Sequence, residues 1–133
     1  MQPAAGYAAA MPVPLSLKTK LSTPLLAETR DWYRDLFGLQ VLEEWDDPAD
    51  RGCILGLAGT NGQAFLEIYH CDEAPDFAGL SLQFRVDDVQ AFPIPDDPRF
   101  AHRGPVDRPW GSQYLFFDDP NGISVVVFSG TSL

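Results

Sequence analysis

Few side chains in this sequence have the types and spacing that reaction chemistry requires. There is no Gly-x-Ser-x-Gly elbow to present a nucleophilic serine, no glycine loop to cradle phosphate and no His-Glu-x-x-His zinc helix. Cys53 and Cys71 show no Cys-x-x-Cys spacing, and both are expected to be reduced, buried, small hydrophobes. His70 adjoins Cys71, but adjacent strand residues face opposite ways, so the two do not form a nucleophile and base. His102 lies in a proline-rich loop with no acidic partner at metal-ligand spacing, and a surface role is expected. The acid pairs Asp46/Asp47, Asp96/Asp97 and Asp118/Asp119 fall in turn-rich segments, where solvation or capping is the usual role. What remains suits binding better than bond-breaking: Trp45 and Trp110, the strand cations Lys18, Lys20 and Arg85, and the carboxylate Glu67 within an apolar run.

The elements that must position these groups can be read from periodicity. Leu15, Leu17, Thr19 and Leu21 alternate with Ser16, Lys18, Lys20 and Ser22, the period-two mark of a strand with one apolar face. Thr23 and Pro24 suit an N-cap and first helical position, and Leu25, Thr29, Trp32, Tyr33, Leu36 and Phe37 form a helical stripe closed by Gly38. Strands are expected near residues 39–45, 53–57 and 64–69, the last two joined by a Gly-Thr-Asn-Gly turn. A second half begins at Gly79 with a strand over 80–86. Pro93, Pro95 and Pro98 cut its helix short, and strands follow near 105–108, 112–118 and 123–128. Asp-Pro-Asn-Gly joins the last pair. The pattern is β-α-β-β-β twice, an α+β arrangement. It predicts a loose tail over residues 1–12 and one domain over 13–133, with modules near 13–72 and 79–130.

Composition narrows the partners. With 133 residues and 45% apolar content, the chain is long enough for one real core. A net charge of −10 disfavours nucleic acid and anionic membranes. No apolar run reaches membrane-spanning length, and the start lacks the basic region of a signal peptide, so a cytoplasmic location is expected.

Three segments resemble one family. Residues 32–41 (WYRDLFGLQV), 84–92 (FRVDDVQAF) and 108–128 (RPWGSQYLFFDDPNGISVVVF) are similar, in order and spacing, to motifs of the glyoxalase/bleomycin resistance (vicinal oxygen chelate) superfamily. The resemblance spans roughly residues 15–128. It implies two βαβββ modules whose strands form a curled mixed sheet around a cleft, with the second helix truncated, and it implies a homodimer. Members include metal-dependent lyases, isomerases and dioxygenases, and metal-free proteins that sequester antibiotics.

The same resemblance places the metal-ligand positions at Lys18, Glu67, Ser81 and Val126. Lysine has no lone pair at neutral pH and valine no donor atom, so Glu67 is the one ligand of the usual kind and no metal or other cofactor is expected. Alternation then adds Ser16 and Lys20 beside Lys18, Phe65 and Tyr69 beside Glu67, Gln83 and Arg85 beside Ser81, and Ser124 and Phe128 beside Val126. Trp45 and Trp110 are further candidate walls, and one of the pairs Tyr114/Phe116 or Leu115/Phe117 joins them. Lys18 is expected to pair with Glu67 where a metal would lie. Two functions fit. One is metal-independent binding of a small organic molecule. The other is an enzyme of the same superfamily using Glu67 as a general base with cleft cations or unusual metal ligands. A relic that binds another protein through the face left bare by the short second helix is a third.

Overall fold

The computed structural model describes residues 12–57, 59 and 61–131; the predicted tail over residues 1–12 lies almost wholly outside them. The first half contains strand β1 (Leu17–Thr23), helix α1 (Leu26–Phe37), and strands β2 (Gln40–Asp47), β3 (Asp50–Gly56) and β4 (Ala64–His70). The second contains β5 (Ser81–Arg85), two short 3-10 turns (Val89–Ala91 and Pro98–Phe100), then β6 (His102–Asp107), β7 (Ser112–Asp118) and β8 (Ser124–Gly130). Each half makes its own four-stranded sheet, in the orders β1-β4-β3-β2 and β5-β8-β7-β6. In each, the first strand runs parallel to the last, and every other pairing is antiparallel. The β-α-β-β-β repeat inferred from alternation is therefore present, and the two sheets do not close into a barrel.

Helix α1 forms where the stripe predicts it, but it starts at Leu26 rather than Pro24. Thr23 is kept as the last residue of β1, paired with His70, and its hydroxyl accepts from Leu25 N while donating to Asn121. Gly38 ends the helix in the left-handed region (φ 65°), its N–H donating to Arg34 O at 2.8 Å, a conformation that costs glycine little.

The core lies between the sheets, with α1 at its centre. Thr29, Trp32, Tyr33 and Leu36 are buried, and the Trp32 ring meets Phe100 and Phe117 of the second half. Tyr33 and Phe37 both meet Phe84 on β5. Leu66 and Ile68 on β4, Leu115 and Phe117 on β7, and Val125 and Val127 on β8 join the same cluster. The alternative left open for β7 is thus decided. Leu115 and Phe117 face the core, and Tyr114 and Phe116 face away from it.

Two expectations about solvent exposure are corrected. Asp119 is not a solvated loop acid: it is 5% exposed and accepts from the Tyr33 hydroxyl at 2.7 Å and from the amides of Asn121 and Ile123. Burial and the facing Asp119 carboxylate together push the Tyr33 phenol far above its ordinary range. Leu17, read as part of an apolar packing face, is 68% exposed, although Leu21 on the same face is buried. The second half has no long helix, and a groove of about 970 Å³ runs there between β1 and β5, bordered by Leu17, Thr19, Leu82, Phe84 and Val86. Strand limits also shift: β3 starts earlier than expected, at Asp50, and β6 at His102.

Candidate functional site

The outward face of the first sheet gathers the residues that alternation assigned to it. Lys18 Nζ lies 3.3 Å from Glu67 Oε1, and Glu67 is 9% exposed while half of the Lys18 side chain remains in solvent. The expected ion pair therefore forms, diagonally across the parallel β1–β4 pairing in which Lys20 is the residue directly opposite Glu67. Lys20 itself lies over the Tyr69 ring, 4.2 Å from its centroid, a cation–π contact. A hydrogen bond with Asp50 raises the Tyr69 phenol above its ordinary value, with smaller contributions from burial and from Glu67. Trp45 on β2 crosses Gly52 on β3, its indole N–H donating to Asp50 at 2.9 Å. A side chain at position 52 would meet the Trp45 ring at 2.6 Å, so glycine is needed for the ring to lie flat on the strand. Phe65, Ile54, Leu42 and Glu43 complete a shallow cavity of about 470 Å³ with Ser16 and Lys18.

The second sheet presents a different surface on its outward face. Ser81, Gln83 and Arg85 are exposed along β5, in register with Ser124, Val126 and Phe128 on β8. Val126 is 3% exposed, flanked in register by Gln83 and Phe116, and so forms floor rather than contact surface. Tyr114 packs against Phe128, Phe116 and Trp110 at centroid distances of 5.7, 6.0 and 6.0 Å. Arg85 donates to Gly130 O at 3.1 Å. Phe116 joins Tyr114 as the pair left open by the sequence, and two residues absent from the sequence-derived set belong here: Arg103 over the Phe116 ring at 4.9 Å, and Arg108 over Trp110 and Tyr114 at 4.8 and 5.4 Å. The signal that could have found Arg108 is its place at the head of the Arg-Pro-Trp-Gly turn. That turn is fixed by Gly111 N–H donating to Arg108 O and by the Thr131 hydroxyl donating to Trp110 O.

The structure thus sorts the predicted residues into two groups. Lys18, Lys20, Trp45, Phe65, Glu67 and Tyr69 lie on one sheet, and Ser81, Gln83, Arg85, Trp110, Tyr114, Val126 and Phe128 on the other. The groove between β1 and β5 brings Phe65 together with Ser81, Gln83 and Arg85. His70 turns to the opposite side from Glu67 and Tyr69, with Asp72 at 3.3 Å, and lines a polar pocket beside α1. His102 opens β6 rather than lying in a loop; its ring is tilted 46° against Phe117 at 5.8 Å, and its Nδ1 lies 3.1 Å from Phe100 O.

The residues that the resemblance puts at ligand positions do not fit a divalent ion. The Glu67 carboxylate is paired with Lys18, Val126 offers no donor, and Ser81 offers one neutral hydroxyl. Among the described residues, no three His, Cys, Asp or Glu side chains come close enough to hold a metal ion. Nor is any helix there long and apolar enough to cross a membrane.

No protein-family model matches the sequence, and no curated protein matches it. Solved structures do. The antibiotic-binding protein TnmS3 from Streptomyces sp. CB03234 superposes with a TM-score of 0.66 at 22% identity, covering 90% of this chain and 100% of that one. The genomically encoded fosfomycin resistance protein FosX from Listeria monocytogenes gives 0.66 at 14% identity, over 91% and 96%. A glyoxylase/bleomycin resistance protein/dioxygenase domain from Frankia sp. EAN1pec gives 0.64 at 15%, over 92% and 100%. Likeness over nearly the full length of each chain at this level of identity establishes architecture, and the chain has the two-module fold of the glyoxalase/bleomycin resistance proteins.

Proposed function

We propose that this chain is a metal-independent binding protein that takes up a small organic molecule on its outward sheet faces. The observation that carries the reading is the Lys18–Glu67 pair: it joins two of the positions at which the family resemblance implies metal ligands, with Phe65 beside Lys18 and the Tyr69 ring under the neighbouring Lys20. A closed ion pair has no open coordination position, whereas aromatic surface with a few fixed polar groups is what small-molecule sites use. TnmS3, named as an antibiotic-binding protein, supplies a precedent on the same scaffold. Each outward face is shallow, so we further propose a homodimer in which the faces of two copies enclose the ligand.

The test combines metal analysis with ligand screening. Protein purified without chelator is expected to carry no stoichiometric divalent ion, and a panel of aromatic small molecules is expected to include some that raise its melting temperature by mass action. A stoichiometric ion whose removal lowers the melting temperature would overturn the metal-independent reading. Sedimentation at micromolar concentration checks the dimer. The competing enzymatic reading rests on Glu67, a nearly buried carboxylate beside a cation and a phenol. It requires turnover of some substrate that Glu67→Gln abolishes.

A further inference from the structure

Charge is absent from the start of this chain. None of its 19 acidic and 9 basic residues precedes Lys18, and residues 12–16 lead into β1 as an uncharged arm. Leu17 pairs with Ala64, the first residue of β4, so among the described residues no strand runs beside the arm ahead of it. Val13 and Leu15 continue the alternation of Leu17 and Leu21, and they are 69% and 84% exposed. Large apolar side chains left in water at one spacing are an unused contact surface.

The groove between β1 and β5 supplies a matching seat. Among the described residues β1 pairs only with β4 and β5 only with β8, so two strand edges without a neighbour border the groove. Val86 N–H donates to Phe128 O, which turns the backbone groups of Leu82 and Phe84 toward β8 and those of Ser81 and Gln83 toward the groove. A strand laid parallel along this edge sets the residue opposite Gln83 with its N–H and C=O away from β5, and the residues on either side with theirs toward it. Pro14 fits the first position, having no N–H to offer, and Val13 and Leu15 fit the other two. Their side chains then fall beside Leu82 and Phe84, on the apolar side of the groove. In its own chain the arm presents that edge away from β5, because it continues β1, whose odd-numbered residues turn their backbone toward β4, as Leu17 N–H does to Gln63 O. The seat therefore suits the arm of a second copy. Two chains of net charge −10 repel each other, which favours contact through a segment that carries no charge.

We propose that two copies of the chain exchange these arms, residues 13–17 of each lying parallel to β5 of the other with Val13 and Leu15 over Leu82 and Phe84. Gln83 N–H donates to Val13 O, and Leu15 N–H donates to Gln83 O. Pro12 and Pro14 hold the arm near extended backbone before it docks, which lowers the ordering cost. The inference rests on the homodimer of the functional reading and assigns the contact that holds it together.

The experiment is sedimentation of the full chain across the micromolar range beside Leu15→Asp and Gln83→Pro. Both side chains are exposed, so neither change is expected to unfold the monomer. Leu15→Asp is expected to raise the dimer dissociation constant about a hundredfold, about tenfold for each of two symmetry-related seats. Gln83→Pro removes an edge N–H that β8 does not use and is expected to weaken the dimer about tenfold. On air oxidation, a mixture of Pro14→Cys and Gln83→Cys chains, each also carrying Cys71→Ser, is expected to give a disulfide-linked pair with one chain of each kind. With both substitutions in one chain, a bond closed within that chain would place the arm in its own groove and overturn the exchange. A dimer indifferent to Leu15→Asp would overturn the arm contact and leave the homodimer standing. A full chain that stays monomeric throughout would overturn both, with the aromatic panel still reporting separately on the binding role.

Discussion

Glu67 is held in place by one cation that is itself half in solvent, and this sets what its removal costs. Lys18→Met would leave a nearly buried carboxylate without a partner. Discounted for the exposure of Lys18, the expected loss is about 1 kcal/mol of unfolding free energy. Lys18→Met combined with Glu67→Met is expected to recover most of that loss, because the paired double variant strands no charge; urea titration of the set checks it. Asp119 is the opposite case, with four donors converging on a buried carboxylate. Asp119→Ala leaves the Tyr33 hydroxyl and two amides unsatisfied and is expected to cost about 2–3 kcal/mol by the same measurement. The difference between the two acids was only partly legible in the sequence. Alternation places Glu67 on a face because strand period is rigid. Asp119 follows from the meeting of the β7–β8 turn with α1, which no local pattern encodes.

At the scale of elements, the two cysteines stand in contrasting settings. Cys53 is buried in the middle of the first sheet, and burial pushes its thiol up to about 11. Cys71 is not buried as expected: just past β4, where the chain leaves the sheet, it is half-buried, with its sulfur toward Glu73 O. In a thiol-reagent assay near neutral pH, Cys71 is expected to react quickly and Cys53 only after unfolding. The raised Cys53 value also fixes a sign. The folded chain keeps a proton that the unfolded chain releases near about 8.5. This contribution to stability is complete below that pH and is lost as pH rises toward about 11. Melting temperature should therefore fall over that alkaline window, and Cys53→Ala should flatten the fall. Element by element, the strands and α1 were readable from periodicity and the Gly38 stop. β6 was readable only in part: it was expected near 105–108 and begins at His102, beyond the shift in its pairing with β7 between Arg103 and Val106. Alternation does not carry across such an irregularity, and that is why Arg103 escaped the sequence-derived site.

At the scale of the whole molecule, one long helix serves two sheets. α1 fills the core between them, and the second half answers with two three-residue turns. The short second helix was foreseeable from Pro93, Pro95 and Pro98; the groove it leaves beside β5 needed the arrangement of both sheets. Filling part of that groove tests how open it is. Thr19→Leu on the groove wall is expected to change stability by less than about 1 kcal/mol, as at an uncrowded position, whereas an overpacked core site would lose about 1–3 kcal/mol. An unchanged denaturation midpoint would agree with open space; a large loss would mean that the wall is already packed.

The parallel pairing of β1 with β4 and of β5 with β8 has a consequence for the order in which the chain can assemble during synthesis. Among the described residues, each half lays down first the strand whose one pairing partner arrives last. Leu17–Thr23 has no strand to pair with until His70 has emerged, and Ser81–Arg85 waits for Gly130. In that interval the waiting strands carry Lys18 and Lys20, or Arg85, charges that disfavour pairing with a like strand of a neighbouring nascent chain. The first sheet can close on α1 while the second is still being made, but the Trp32 and Tyr33 side of α1 is not fully covered until Phe117 and Asp119 arrive. The last quarter of the chain is thus the part whose delay or truncation would leave the largest apolar surface exposed to aggregation.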